Sequence, residues 1–354
     1  MKVIIPAAGR GTRLFPAALT MPKTLVYVAG KPILGHILDN LKEIKGDNKI
    51  DSIGFITGTG ESGNRILEYA NISYKHRFSF DHVVQEEPRG LGDAIYLYLK
   101  EKCHNDDNPI LIILSDTIVD ADLDNMLKSE CNSIAVKKVD DPTQFGIVEV
   151  KNDGIYAEKL WEKPKTPPSN LAIVGIYFIR DVLLLFECLK EIIEGDSNKN
   201  TRKNSEIKEY QLTDALQKML EKGKSIITYN VDAWLDCGSP KSLIQTNRYL
   251  LKKLAQSYAI PGGGIGNMII PPVVIDSSAK IENSIIGPYV SIAGGVEIKN
   301  SIIEDTIINE EAKITRSMIK ESLIGYKAIL NGQTGRLTIG DYSEVASAIF
   351  ASDK

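Results

Sequence analysis

The chain has little of what would tie it to a zinc cage, a disulfide framework or a polyanion. Its four cysteines, Cys103, Cys131, Cys188 and Cys237, lie far apart and form no C-x-x-C pair. A structural zinc site and a bridged scaffold are therefore not expected, and free thiols in a reducing compartment are. A basic excess is also missing. Lys and Arg number 42 against 46 Asp and Glu, a formal net charge of -4. Nucleic acid and anionic membrane both reward a basic surface, so neither is expected as a partner. A small anionic substrate needs only a local cluster of cations and stays open. No apolar run is long enough to cross a bilayer. The opening goes from Val3-Ile4-Ile5-Pro6 directly into a glycine loop. It shows neither the apolar stretch nor the small-residue cleavage site of a signal peptide, so a cytoplasmic protein is expected.

What is present suits two domains. The 354 residues, 43% of them hydrophobic, can bury a sizeable core. Short apolar runs at 3–5, 52–57, 110–114 and 173–179 read as buried strands. Helical spacing occupies 32–44, 90–101 and 181–194. Such alternation predicts a mostly parallel, Rossmann-like α/β sheet with helices on both faces. A polar stretch at 194–208 reads as a surface loop. A helix over 240–257 is expected, with Ser239 as its N-cap and Pro240 in the first helical position.

Pro261-Gly262-Gly263-Gly264 then breaks the pattern, and the period changes. Isoleucines fall at 275, 281, 286, 292, 298, 303, 308, 314, 319 and 324, five or six residues apart. That spacing is neither helical nor the alternation of a half-buried strand. It suits a triangular solenoid in which each side turns one aliphatic residue inward and stacks it on the next turn. The repeat resembles the left-handed β-helix of hexapeptide-repeat proteins, in a degenerate form where some sides lose a residue, and so implies a fold class of α/β over 1–258 followed by a left-handed parallel β-helix over 259–354, with a cap or tail from 331. A plain antiparallel sandwich is the alternative for the second part.

The chemistry-bearing residues begin at Ala7-Ala8-Gly9-Arg10-Gly11-Thr12-Arg13-Leu14-Phe15-Pro16, followed by Met21-Pro22-Lys23. Two glycines after a strand let backbone N–H groups approach phosphate oxygens. The segment is not a Walker A loop, and it lacks the third glycine of a dinucleotide fingerprint. Arg13 and Lys23 add the two cations that a triphosphate requires.

Here the chain resembles the sugar-1-phosphate nucleotidyltransferases, whose opening has the form G-x-G-[TS]-R-L-x-P…P-K. Six further blocks follow in order. They are Gln85-Glu86-Glu87-Pro88-Arg89-Gly90-Leu91-Gly92; Leu114-Ser115-Asp116; Phe145-Gly146 with Glu162-Lys163-Pro164; Val174-Gly175-Ile176-Tyr177; Glu209 to Asp214; and Trp234 to Pro240. Together they cover about residues 1–250. The resemblance is greatest to glucose-1-phosphate thymidylyltransferase-like members with a C-terminal β-helix.

The resemblance implies attack of a sugar-1-phosphate oxygen on the α-phosphorus of a nucleoside triphosphate. Such transfers rest on positioning and charge neutralisation more than on covalent chemistry. It implies that Ala8, Gly9, Gly11 and Thr12 cradle the triphosphate, with Arg13 and Lys23 as its cations. Gln85 and Gly90 would read the base, an amide being able to donate and accept at once. Lys163 would hold the sugar phosphate, and Gly146, Glu162, Val174, Tyr177 and Trp234 would line the sugar pocket. Asp116 and Asp236 would hold Mg²⁺, which prefers oxygen ligands. Bland readings stand beside these: a tight turn at Gly9 and Gly11, an exposed Glu162–Lys163 pair, a helix cap at Asp236, plain core at Trp234.

The implied partners are a nucleoside triphosphate, dTTP or UTP first, and glucose-1-phosphate. Guanylyl transfer to mannose-1-phosphate is the alternative, as is a non-catalytic scaffold. The family often carries Gly where Ser115 stands and Thr where Ser239 stands. The stretch Thr117 to Asp120 lacks an Asn common in thymidylyl-transferring members, which leaves the base open. Acyl transfer in the β-helix is not expected, because hexapeptide acyltransferases use a histidine base. The histidines are His36, His76, His82 and His104, all in the first part. The flat solenoid sides suggest a homo-oligomer.

Overall fold

The computed structural model describes residues 1–9, 11–16, 19–44, 49–103, 106–197, 209–254 and 266–347. Two compact units are present: Met1–Gly9 with Ile37–Trp234, and Arg10–His36 with Leu235–Lys354. The expected boundary at 258/259, the glycine break at 261–264 and most of the polar stretch at 194–208 lie outside the described residues.

The first unit is built on a nine-stranded sheet. Its main path runs Ala157–Glu162, Gly146–Val150, Leu171–Ile179, Ile110–Ile113, Lys2–Ala7, Ser52–Thr57, Ser79–Val84. The last four are mutually parallel. Asn132–Lys138 pairs antiparallel with Leu171–Ile179, and Ile226–Asn230 lies parallel beside it. The apolar runs become the central strands because both faces are covered: Val3, Ile4, Ile5, Phe55, Leu111 and Ile112 are fully buried. The expected helices form at Leu91–Lys102 and Val182–Ser197 within this unit. Helix Ile33–Lys42 carries the chain into it from the second unit.

The second unit holds the solenoid, three five-stranded parallel sheets wound as the left-handed β-helix that the repeat predicts. The predicted isoleucines form its three inner columns. Ile286 pairs with Ile303 and Ile303 with Ile319; Ile292 stacks on Ile308 and Ile324; Ile281 leads to Ile298 and Ile314. The rungs shorten as they rise: Ile286 to Ile303 is an offset of 17 residues, Ile303 to Ile319 of 16, and Ile324 to Ile339 of 15. This drift produced the uneven isoleucine spacing.

One corner carries a polar column that the sequence did not reveal. Ser301 N donates to Ser284 Oγ, Ser317 N to Ser301 Oγ and Gln333 N to Ser317 Oγ, each at 3.1 Å. Each serine hydroxyl also donates to the carbonyl two residues earlier at 2.8 Å, so the buried corner is satisfied. From 331 to 347 the chain builds the last rung, through Thr334–Gly335, Thr338–Ile339 and Glu344–Ala346; 348–354 lie outside the described residues.

Helix Pro240–Leu254 packs on one solenoid face. Ser239 caps it as expected, its Oγ accepting from Ser242 N at 3.2 Å. Asn247 Oδ1 accepts from Ser291 Oγ at 2.6 Å, and Arg248 Nε donates to the buried Asp305 at 2.6 Å. The segment after the glycine loop meets the last rung. Thr20 Oγ1 and N both donate to Asp341 Oδ2, at 2.7 and 3.1 Å, and Pro16 lies against Gly340. Among the described residues no helix is long and apolar enough to cross a membrane.

Candidate active site

In the first unit, three of the expected segments leave the carboxyl ends of strands in the parallel part of the sheet. Ala8 and Gly9 follow Lys2–Ala7, Gln85 follows Ser79–Val84, and Leu114-Ser115-Asp116 follow Ile110–Ile113. Connections from Lys2–Ala7 and from Ile110–Ile113 diverge there, a topological switch point of the kind where open α/β sheets bind ligands.

Gln85 is only 5% exposed. Its backbone N–H donates to Thr57 O at 2.8 Å, and its side-chain Nε2 donates to Gly90 O at 3.2 Å and Asp93 Oδ2 at 2.8 Å. Both amide hydrogens are thereby used within the protein, and Oε1 has no partner among the described residues. The expected donor-and-acceptor amide is thus reduced to an acceptor. Gly90 begins helix Leu91–Lys102 at φ +95°, and a Cβ there would meet Tyr210 O at 2.6 Å, so only glycine fits.

A second group gathers where Ala157–Glu162 pairs with Gly146–Val150, placing Glu162 opposite Gly146. Thr213 Oγ1 donates to Glu162 Oε2 at 2.8 Å, and a Cβ on Gly146 would meet that same carboxylate oxygen at 3.3 Å. Lys163 turns out of the strand at φ +41°, its N–H donating to Phe145 O at 3.1 Å, with Nζ 3.5 Å from Glu162 Oε1. Phe145 meets Trp234 edge-on, ring centroids 4.7 Å apart. Trp234 is half-buried, and its indole N–H is buried without a partner among the described residues. A donor left this way suits a ligand acceptor better than plain core does.

Tyr177 is buried among core residues. Burial, then the negative fields of Glu162 and Asp116, push its hydroxyl far above the ordinary phenol range, so it stays protonated. Tyr177 therefore lies within the field of both carboxylates. Val174 and Gly175 form a bulge in Leu171–Ile179: Ile173 pairs with Val136 and Tyr177 with Ile134, four residues against two. Gly175 sits at φ +90° with Leu114 in the space a Cβ would need, 2.7 Å away, and Leu114 N donates to Gly175 O at 2.9 Å. The bulge thereby fixes the turn carrying Asp116. Gly175→Ala should cost about 2 kcal/mol or more, from strain plus overpacking. A denaturation midpoint equal to that of the parent chain would contradict this.

The second unit holds the remaining expected residues. Gly11 lies in the left-handed region at φ +61° and opens the short helix Thr12–Leu14, with the Lys23 side chain against it. A Cβ on Gly238 would meet Asp236 Oδ1 at 2.8 Å and Arg13 Nη2 at 3.0 Å, so Arg13 and Asp236 share that glycine's space. Asp236 Oδ1 accepts from Gly238 N at 3.0 Å, and the helix cap is Ser239 rather than Asp236. Asp116, Glu162 and Lys163 belong to the first unit, Arg13, Lys23 and Asp236 to the second. Among the described residues no three His, Cys, Asp or Glu side chains form a metal cage.

Sequence reasoning missed the contacts that Thr213, Asp93 and Gly175 make with expected residues in the first unit and that Gly238 makes in the second, though all four lie in or beside the quoted blocks.

Residues 2–253 match the nucleotidyl transferase family. The chain belongs to that family. The resemblance drawn from the Gly9–Lys23 opening and the later blocks is therefore borne out. Similar curated family members include the bifunctional protein GlmU of Methanococcus maripaludis strain C7, 32% identical over 305 residues, with 86% of this chain aligned. The match spans 61% of that relative's length. A glucose-1-phosphate thymidylyltransferase of Streptomyces antibioticus is 26% identical and matches end to end, over 98% of this chain and 99% of its own. Among solved structures, a UDP-glucose pyrophosphorylase complexed with UDP-glucose aligns with a TM-score of 0.57 at 26% identity. That alignment covers 71% of this chain and 98% of the other.

Proposed function

We propose that the chain transfers a nucleotidyl group from a nucleoside triphosphate to a sugar-1-phosphate, with dTTP or UTP favoured as donor and glucose-1-phosphate as acceptor. The observation that carries this reading is the corner at Glu162 and Lys163. There a carboxylate fixed by Thr213 stands beside an ammonium turned out of its strand. A hydroxyl-accepting group next to a phosphate-holding cation is what a sugar phosphate requires. Glucose is favoured because the full-length relative and the solved structure carry glucose in their names.

The acceptor's phosphate oxygen forms the new P–O bond to the α-phosphorus while the bond to the bridging oxygen breaks and pyrophosphate leaves. The nucleophile is already an anion, so no general base is needed; the work is to overcome repulsion between anions. Lys163 holds the sugar phosphate, and Arg13 and Lys23 hold the triphosphate and the departing charge. Asp116 in the first unit and Asp236 in the second would each offer carboxylate oxygens, the hard donors that suit Mg²⁺. When bound, the ion neutralises charge on the phosphates.

For the base, Oε1 of Gln85 accepts; on the reading that it faces the ring nitrogen of the pairing edge, that nitrogen must carry hydrogen. Uracil and thymine (N3–H) and guanine (N1–H) qualify; cytosine and adenine present a bare nitrogen there. Guanylyl transfer to mannose-1-phosphate is therefore the second reading. An acyl-transfer activity is not proposed, since no histidine follows His104.

A pyrophosphate-release assay over UTP, dTTP, GTP, CTP and ATP, each with several sugar-1-phosphates and Mg²⁺, tests the reading. UTP or dTTP with glucose-1-phosphate should lead, with CTP and ATP lowest. Silence across the matrix from folded protein would leave the scaffold alternative.

A further inference from the structure

An amide is an ambiguous reader. Turning a glutamine head by half a revolution exchanges its donor and acceptor with almost no change in shape. A base read by Gln85 is therefore specified only if something else fixes which end faces it. Two groups do so here. Asp93 Oδ2 and Gly90 O both accept from Nε2, at 2.8 and 3.2 Å, and neither can accept from a carbonyl oxygen. Gly90 O is itself held by Ala94 N at 3.2 Å.

The Asp93 carboxylate is held as firmly. It is 1% exposed and sits in the first turn of helix Leu91–Lys102, where the helix dipole favours negative charge. Its other oxygen, Oδ1, accepts from Arg89 Nη2 at 2.6 Å. Arg89 lies over the Tyr210 ring, 5.9 Å from its centroid, and its carbonyl accepts from Tyr210 N at 2.7 Å. The chain of bonds thus runs from a partly solvated guanidinium, through a buried carboxylate, to the amide beyond.

We propose that Asp93 is a positioning residue that sets the polarity of base readout: by capturing Nε2 it makes Gln85 present Oε1 to the ring nitrogen of the base, restricting the donor to nucleotides whose base carries a ring N–H there. This rests on the nucleotidyl-transfer reading above. Replacing the carboxylate by an amide reverses the demand. In D93N, Arg89 takes the new carbonyl and the new NH₂ faces Gln85, so that the shorter of the two bonds holding Nε2 is lost, only the 3.2 Å bond to Gly90 O opposes a turn, and Gln85 can present its own NH₂ to the base.

The test is the nucleotide preference of the full chain, measured as kcat/KM. In D93N the UTP-over-CTP ratio, or GTP-over-ATP if the parent prefers GTP, should fall about tenfold or more, mainly through KM. The double variant D93N/Q85E should restore most of the ratio, because a carboxylate at position 85 accepts from the new amide and still offers an acceptor to the base. A merely structural aspartate would not give that exchange. Should D93N not fold, D93A takes its place: it frees the amide to turn, and its ratio should fall at least about threefold. A folded D93N with the parent ratio overturns the proposal. So does an equal loss with every nucleotide that the double variant does not repair. If instead the parent chain, folded, transfers no nucleotide at all, the underlying reading fails and the proposal falls with it.

Discussion

Lys163→Ala is expected to lower kcat/KM for the sugar-1-phosphate about 10²–10³-fold, ~3–4 kcal/mol, the usual loss when one preorganised charge partner is removed. The ammonium group is the only part of Lys163 assigned to substrate. Its backbone does separate work, turning the chain at φ +41° and bonding to Phe145 O. Lys163→Gly separates the two roles, because glycine takes that conformation without strain. The glycine variant should lose the same activity while matching or exceeding the parent's resistance to denaturant. Nucleoside triphosphate affinity, measured by calorimetry, should stay within about twofold in both variants. A sugar-phosphate KM unchanged by Lys163→Ala would remove this residue from the site.

Asp116→Asn should cost ~3 kcal/mol of transition-state stabilisation, about a hundredfold in rate, and should move the Mg²⁺ requirement to higher concentration. The substitution keeps the shape of the side chain and removes its charge, so the turn held by Leu114 and Gly175 should persist. Stripping the parent protein with a chelator should bring its rate to background, and added Mg²⁺ should restore it. The variant's rate should approach the parent's only as Mg²⁺ is raised well beyond the parent's saturation. Identical Mg²⁺ titration curves for the two proteins would show that Asp116 is no ligand.

How far these residues were legible in the sequence follows from how local their signals are. Strand and helix periodicity lies within a few residues, so the alternating pattern and the isoleucine columns could be read directly. The columns fade where the signal does. Ile319 stacks on Gly335 and Leu330 on Val345, so the last rung carries too few isoleucines to be recognised and reads as a tail. Glu162 and Lys163 were found by motif, but Thr213, which holds Glu162, lies 51 residues away in a helix start with no periodic mark. Asp93 looked like any acidic residue in a first helical turn, the place where such residues favour the dipole. Its bond to Gln85 depends on a turn through Gly90 that no composition rule records. Gly175 needed the bulge geometry before its requirement for glycine could be understood.

The tie between Thr20 and Asp341 gives the solenoid a part in holding the chain's opening. The carboxylate on the final rung anchors the stretch between the glycine loop and Lys23 with two hydrogen bonds, and its other oxygen accepts from Tyr326 N at 2.8 Å. Trimming the polypeptide ahead of residue 340 would leave the loop that carries Arg13 without this mooring. The distal end of the coil is therefore a structural anchorage for the chain's opening as well as a stack of rungs.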